Sequence, residues 1–157
     1  MRIVRRLIAM WIGLWAAAVA VGAVVRFTAK PLTDPTAPSF NLVTVFDGTE
    51  FRPTTSMLGS SRCFTMFGGT QLDLRRASTT ASRVLLDVTT VIGGTDITVP
   101  DTWKVTVEGP TVAGGREVQV REHDELAADA PHLVIHARTC VGGLRVASRP
   151  VIAAAAG

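Results

Sequence analysis

The chain has 157 residues, enough for one domain of ordinary size with a short appendage but not for two separate cores. Apolar residues make up 47% of the chain and aromatic residues only 6%, so any core must be mainly aliphatic. Its 2 cysteines exclude a disulfide-dense scaffold. Three arginines lie within residues 1–6, and the 13 remaining basic residues are balanced by 13 acidic ones, which argues against nucleic-acid binding by the domain.

The N-terminal region predicts a membrane anchor. Residues 1–6 form a basic flank, and residues 7–25 carry no charge. As a helix this segment would be about 28 Å long, close to the hydrocarbon thickness of a bilayer. We therefore predict a transmembrane helix over residues 7–25. A cleavable signal peptide is the main alternative, because small residues near Ala20 and Ala23 suit a signal peptidase. A buried core helix is a third interpretation.

Basic residues favour one orientation of this anchor. Three arginines precede the apolar segment, whereas Arg26 and Lys30 follow it. This bias favours a cytoplasmic N-terminus and an extracytoplasmic domain. Residues 26–39 contain three prolines and are typical of an extended linker. We predict a β domain over residues 40–150 and a C-terminal tail over residues 151–157.

A short unit recurs within the predicted domain. It consists of Thr, two apolar residues, Gly-Gly, two variable residues and then alternating apolar positions. The clearest copies are TMFGGTQLDL (65–74), TVIGGTDITV (90–99), TVAGGREVQV (111–120) and TCVGGLRVAS (139–148). A copy at residues 44–53 has Asp47 in place of the first Gly, and a degenerate copy at residues 56–65 keeps only Gly59. Such regular recurrence indicates a repeat architecture.

Alternating apolar residues lie between and after the Gly pairs, and period-two alternation predicts half-buried strands. The expected inward residues are Val84, Leu86, Val88, Trp103, Val105, Val107, Leu133, Ile135, Leu72, Leu74, Ile97, Val99, Val118 and Val120. Each repeat should hold about two short strands joined by a Gly-Gly corner, where Gly permits positive φ. The repeated Thr could form a hydroxyl ladder between repeats. The sequence predicts an all-β domain, either a small β-solenoid-like stack or a β-sandwich.

Three of these segments also carry a family resemblance. They are Phe67-Gly68-Gly69 followed by Asp73-Leu74-Arg75, Gly93-Gly94 followed by Val99-Pro100, and Trp103. Residues 40–150 resemble the C-terminal domain of LiaF-like cell-wall-active antibiotics response proteins. The resemblance implies a β-solenoid-like domain in a membrane protein of envelope-stress signalling, a family whose best-studied member restrains a histidine kinase. Longer relatives carry several hydrophobic segments, whereas one span here would place the domain outside.

The polar side chains give no strong signal for catalysis or metal binding. The densest cluster, residues 121–125, could bind a cation but is more typical of an exposed loop. His132 and His136 should face outward on a strand, too far apart to share one metal. Each Gly pair precedes a strand pattern rather than a helix, which excludes a phosphate-binding loop. We therefore predict no catalytic residue, no metal site and no cofactor.

The two cysteines have the pattern of buried apolar residues. Cys63 falls at an inward position that we aligned with Phe51 and Leu72, and Cys140 at the position of Met66. Small buried hydrophobic side chains are the expected interpretation. A disulfide between them stays open, as does their oxidation state.

These features together favour a non-enzymatic, membrane-anchored interaction module that regulates envelope-stress sensing. Its expected partners are the membrane and a sensor kinase or another envelope protein. One alternative is a carbohydrate-active enzyme on a β-helical scaffold, and another is a self-assembling structural solenoid. Asp47 and Pro150 mark atypical ends of the repeats and argue against open-ended stacking. The oligomeric state stays open, and so does secretion after cleavage of a signal peptide.

Overall fold

The computed structural model describes residues 34–152, which contain six β-strands and belong to one compact unit. The strands are β1 (Asn41–Phe51), β2 (Ser61–Asp73), β3 (Arg83–Pro100), β4 (Lys104–Glu108), β5 (Thr111–Gln119) and β6 (His132–Arg149). A single turn of 3-10 helix, His123–Glu125, lies between β5 and β6. No helix within residues 34–152 is long and apolar enough to cross a membrane. The predicted anchor at residues 7–25 lies outside the described residues.

All six strands form one parallel sheet in the order β1-β2-β3-β6, with β4 and β5 both paired to the far side of β6. β4 pairs with the first part of β6, and β5 pairs with its second part. We call the five layers of this sheet rungs. Rung 1 is β1, rung 2 is β2, rung 3 is β3, rung 4 is β6, and rung 5 is β4 together with β5. The order of the rungs in space therefore differs from their order in the chain.

The repeated glycines align across the rungs. Gly68, Gly93, Gly142 and Gly114 are in register, with Asp47 opposite Gly68 on rung 1. The four glycines have φ between 123° and 143°, which L-residues with a side chain rarely adopt. These are the corners that the repeat predicts. The hydrogen-bonded ladder continues on both sides of each corner, so four of the rungs, β1, β2, β3 and β6, are single bent strands rather than pairs of short ones.

The degenerate copy at residues 56–65 is not a rung, contrary to the repeat alignment. Gly59 lies in the connection between β1 and β2, and its amide donates to the carbonyl oxygen of Pro38 at 2.6 Å. Thr65 belongs to β2, where it is in register with Thr44 and Thr90. The apparent sixth copy arises because this connection and the start of β2 together imitate the spacing of the repeat.

The core lies inside the bend of the sheet. One register row before the corner contains Leu42, Cys63, Val88 and Ala137, and one row after it contains Phe51, Leu72, Ile97 and Val146. All eight belong to a single hydrophobic cluster. The two arms of the sheet therefore enclose the same core, and each fully buried aliphatic side chain contributes about 1.5–3 kcal/mol to its stability.

The predicted alternation is confirmed on the inner rungs and at Val105 on β4, but it fails on β5. Leu86, Ile97 and Ile135 are fully buried, as are the other inward residues expected on β2, β3 and β6. Trp103 and Val105 are also buried. Val118 on β5, however, is 42% exposed, and within residues 34–152 β5 pairs with β6 alone.

Threonine hydroxyls pair mainly within a rung, across its corner. Thr65 Oγ1 and Thr70 Oγ1 lie 2.6 Å apart, and the equivalent hydroxyls of Thr90 and Thr95 lie 2.8 Å apart. The bend brings two inward residues five positions apart into hydrogen-bonding distance. Within residues 34–152, only Thr70, which donates to Thr44 Oγ1 at 3.1 Å, gives the bond between rungs that the predicted ladder requires.

Replacing Thr65 by valine should therefore destabilise the domain, whereas Thr111→Val should not. Thr65 is fully buried and its hydroxyl is paired, so its loss is expected to cost about 1–2 kcal/mol. The Thr111 hydroxyl is buried and has no partner within the described residues, so its removal should be neutral or stabilising. Urea denaturation of the two variants measures the difference. Equal losses of stability would contradict a structural role for the paired hydroxyls.

Candidate functional site

A groove of about 710 Å³ crosses all five rungs just after their corners. With about 4.8 Å between neighbouring strands, five rungs give it a length of roughly 19 Å. The second glycine of each pair and the polar residue two positions later line it: Gly48, Gly69, Gly94, Gly143, Gly115, Glu50, Gln71, Asp96, Arg145 and Glu117. The groove follows the stacking direction, so a bound chain would cross the strands.

The second glycines are not required by the backbone. None of them has a φ in the left-handed region, and a Cβ built on Gly69 or Gly115 would meet nothing within 4 Å. On Gly94 and Gly143 the nearest atom would be 3.9 Å away, an ordinary contact. Their lack of a side chain therefore keeps the groove open and is not imposed by packing.

Charges of both signs line the groove. Glu50 forms an ion pair with Arg52, and Glu117 lies 3.6 Å from Arg145. Asp96 lies on the central rung, and its side chain makes no hydrogen bond or ion pair within residues 34–152. The three groove carboxylates are on rungs 1, 3 and 5, so neighbouring ones are separated by about 10 Å along the stack. Glycosidase carboxyl pairs are separated by about 5–9.5 Å, and two of these three already pair with arginine.

An exposed apolar row crosses the sheet before the corners. Phe46, Phe67, Ile92 and Val141 are in register on rungs 1 to 4. The rings of Phe46 and Phe67 stack with centroids 5.2 Å apart and an interplanar angle of 3°. Phe46, Ile92 and Val141 are each about half exposed. The repeat pattern does not single out this row, because the outward direction of these side chains depends on the geometry of the corner.

The charged segment at residues 121–125 is exposed, as predicted, but one of its side chains turns back to the sheet. His123 Nε2 lies 3.0 Å from the carbonyl oxygen of Val105 on β4. Its ring also makes an edge contact with His132, with centroids 5.5 Å apart. Burial, helped by the nearby charges of His123 and Arg83, lowers the pKa of His132. The segment therefore covers the outer edge of β4.

His132 and His136 have separate partners. His132 Nε2 lies 2.8 Å from Thr106 Oγ1. His136 lies between two carboxylates on the neighbouring rungs, with Asp87 at 3.8 Å and Glu108 at 3.4 Å. No group of three or more potential His, Cys, Asp or Glu ligands within residues 34–152 could hold a metal ion.

The cysteines differ in burial. Cys63 is buried, as predicted, and burial raises the pKa of its thiol to about 12. Its register partners are Leu42 and Val88, so its alignment with Phe51 and Leu72 was wrong. Cys140 was wrongly placed in the core. It is exposed, unlike Met66 at the equivalent position of rung 2, which is buried. Both cysteines are free thiols.

The residues that carry the family resemblance have structural contacts. Arg75 forms a two-pronged ion pair with Asp73 at the end of β2, with N–O distances of 2.9 and 2.7 Å. Hydrogen bonds from Arg75 lower the pKa of Asp73. Leu74, Val99 and Trp103 are buried in the core. These five residues stabilise the ends of rungs 2 and 3 and do not line the groove, whereas Gly69 and Gly94, which also carry the resemblance, do line it.

Glycine corners, an aliphatic interior and long in-register parallel strands together define a nearly all-β repeat domain. The family model described as "Cell wall-active antibiotics response LiaF, C-terminal" matches residues 50–135, just over half of the chain. The chain therefore belongs to the LiaF-like family, which connects it with the response of the cell envelope to wall-active antibiotics. No curated protein and no solved structure shows significant similarity to the chain.

Proposed function

We propose that this protein is a non-enzymatic, membrane-anchored module that regulates envelope-stress signalling by binding another envelope protein. The family match over residues 50–135 carries this proposal, because it links the described sheet to a regulatory response. The matched segment includes rungs 2, 3 and 5 and the start of rung 4. The binding role therefore belongs to the sheet itself.

The proposed organisation has five parts. Residues 7–25 form a transmembrane helix after the basic flank at residues 1–6, residues 26–39 form the linker, and residues 40–150 form the binding domain outside the membrane. The unbroken apolarity of the first segment and the arginine bias around it support this arrangement. Residues 151–157 are a short tail.

We also propose that the bent sheet is part of a β-solenoid-like stack. Parallel pairing throughout, glycine corners in register and a core shared by both arms support this architecture. In such a stack, each rung adds one residue of similar character to each register row on the outside of the sheet. The exposed apolar row is such a surface, and it is the contact that we assign to a protein partner.

Crosslinking and affinity recovery from native membranes test the regulatory role. The full chain should recover a sensor kinase, and Ile92→Asp should reduce that recovery at least about tenfold because it places a charge in the apolar row. Met57→Asp is the matched control, since Met57 is also an exposed apolar residue but lies outside the row. Protease treatment of intact cells should cut the domain without lysis if it lies outside.

Two results would contradict the proposal. One is equal recovery of the kinase by Ile92→Asp and Met57→Asp. The other is turnover of a wall polymer by the purified chain that is lost in Asp96→Asn, since this would assign the groove to a carbohydrate-active enzyme. A domain that is cut only after lysis would reverse the proposed topology and leave the binding role standing.

A further inference from the structure

The outer edge of β5 is unlike the rest of the sheet. Val118 is 42% exposed, although its register neighbours Val146, Ile97 and Leu72 on the inner rungs are fully buried. Val112 is 80% exposed. Within the described residues, β5 pairs only with β6, so one side of its backbone has no ladder partner. Rung 5 thus ends the stack, and the row of inward aliphatic residues is left partly exposed at Val118.

The segment that follows β5 covers only the other half of this rung. His123 contacts the carbonyl oxygen of Val105 on β4, and Lys104 Nζ donates to the carbonyl oxygen of Ala128 at 3.0 Å. These contacts lie at β4. The open edge is therefore confined to residues 111–119, a length of 9 residues.

A buried hydroxyl on this edge lacks a partner in the described part of the chain. In rungs 2 and 3 the equivalent threonine bonds to a threonine five residues later, but in rung 5 that later position is Arg116. The Arg116 guanidinium instead donates to the carbonyl oxygen of Gly109 at 2.6 Å. Among residues 34–152, the Thr111 hydroxyl consequently has no partner. Thr70 bonding to Thr44 shows that a neighbouring rung can supply the missing group.

The glycine corners restrict what can pair with this edge. A Cβ on Gly93, Gly142 or Gly114 would lie 1.8, 1.7 or 1.6 Å from the carbonyl oxygen of the preceding rung's glycine. A strand that continues the stack on β5 must therefore place glycine opposite Gly114. Rung 1 of a second copy has Asp47 at this position, and the covered β4 edge would block the rest of that rung. A second copy stacked in register is excluded on both counts.

We propose that the open edge of β5 accepts one extended segment of a partner protein as an added parallel strand. The segment needs glycine opposite Gly114, threonine or serine opposite Arg116, and an aliphatic residue opposite Val118. These residues satisfy the Thr111 hydroxyl and complete the row that contains Val146 and Ile97. Backbone hydrogen bonds then supply affinity, and the corner glycine supplies specificity. This proposal depends on the proposed regulatory function in one respect only, namely that the protein has a partner protein.

Two nine-residue peptides test this proposal with the full chain in mild detergent. TVIGGTDIT copies residues 90–98 and has the required glycine, threonine and isoleucine at matching positions. TVIAGTDIT differs only by the Cβ at the corner. Fluorescence anisotropy should show saturable binding of the first peptide, with binding of the second weakened at least about tenfold. Val118→Asp should weaken binding of the first peptide similarly, whereas Met57→Asp should leave it unchanged.

Several outcomes would overturn strand addition at this edge. They are equal binding of both peptides, no binding below about 1 mM, or equal effects of Val118→Asp and Met57→Asp. Because Val118 is already partly exposed, circular dichroism of Val118→Asp should match that of the unchanged chain. A native dimer that Val118→Asp dissociates would assign the edge to a second copy. If peptide discrimination fails while kinase recovery persists, strand addition is wrong and the regulatory role stands.

Discussion

Gly93→Ala is expected to destabilise the domain by at least about 3 kcal/mol, which is a large effect for one methyl group. Gly93 has φ 139°, and a Cβ there would lie 1.8 Å from the carbonyl oxygen of Gly68. That oxygen belongs to the neighbouring rung, so relieving the clash requires rungs 2 and 3 to separate. Urea denaturation followed by circular dichroism measures the loss as a shift of the unfolding transition to lower urea concentration.

Gly94→Ala is the matched control, one residue further along the same strand. Its φ is not in the left-handed region, and the nearest atom to its Cβ would be the carbonyl oxygen of Gly143 at 3.9 Å. Alanine also restricts the unfolded chain, so the change should be neutral or stabilise by up to about 1 kcal/mol. If both variants lost the same stability, the corner geometry would not be the reason for the first glycine of each pair.

The repeat pattern allows the inner rungs to be predicted because each rung uses the same local rule. An inward threonine, a glycine corner and alternating aliphatic residues predict the buried positions of Leu86, Ile97 and Ile135. These features depend only on strand parity and on the conformational freedom of glycine. These features can therefore be predicted without knowing which rungs are neighbours.

The order of the rungs could not be predicted from the same pattern. Every rung carries the motif in the same register. The motif alone therefore does not specify which rung pairs with which. The long connection between Gln119 and His132 allows β6 to return and pair between β3 and rung 5. One available signal was Arg116, which stands where rungs 1 to 3 have threonine and marks rung 5 as an end.

The exposed apolar row and the groove could not be predicted from the sequence either. The outward position of Phe46 and Ile92 follows from the direction of the chain at the corner, which alternation alone does not specify. Cys140 was assigned to the core because it aligns with the apolar residues Met66 and Val112 of other repeats, but this position is buried at Met66 and exposed at Val112 and Cys140. The groove emerges only when second glycines from five rungs are aligned, and no local pattern contains that alignment.

Ending the chain after residue 131 is expected to abolish the folded state, although it removes only the last strand in the sequence. β6 lies between β3 and rung 5, and within the described residues β4 and β5 pair with no other strand. The truncation also removes Leu133, Ile135 and Val146 from the core. At about 1.5–3 kcal/mol each, together with their neighbours, such residues account for a large part of the roughly 5–15 kcal/mol that stabilises a typical domain.

A chain ending after residue 152 is the control, because it retains all six strands and should unfold cooperatively like the full chain. Hydrogen exchange distinguishes the observed order of rungs from a sequential one. If rungs stacked in chain order, loss of β6 would remove an end layer, and nearest-neighbour contacts would keep β2 to β5 protected. With β6 inside the stack, the amides of β4 and β5 should lose all protection in the shorter chain. Persistent protection of Val105 and Val107 there would contradict the central position of β6 and, with it, the placement of the open edge on β5.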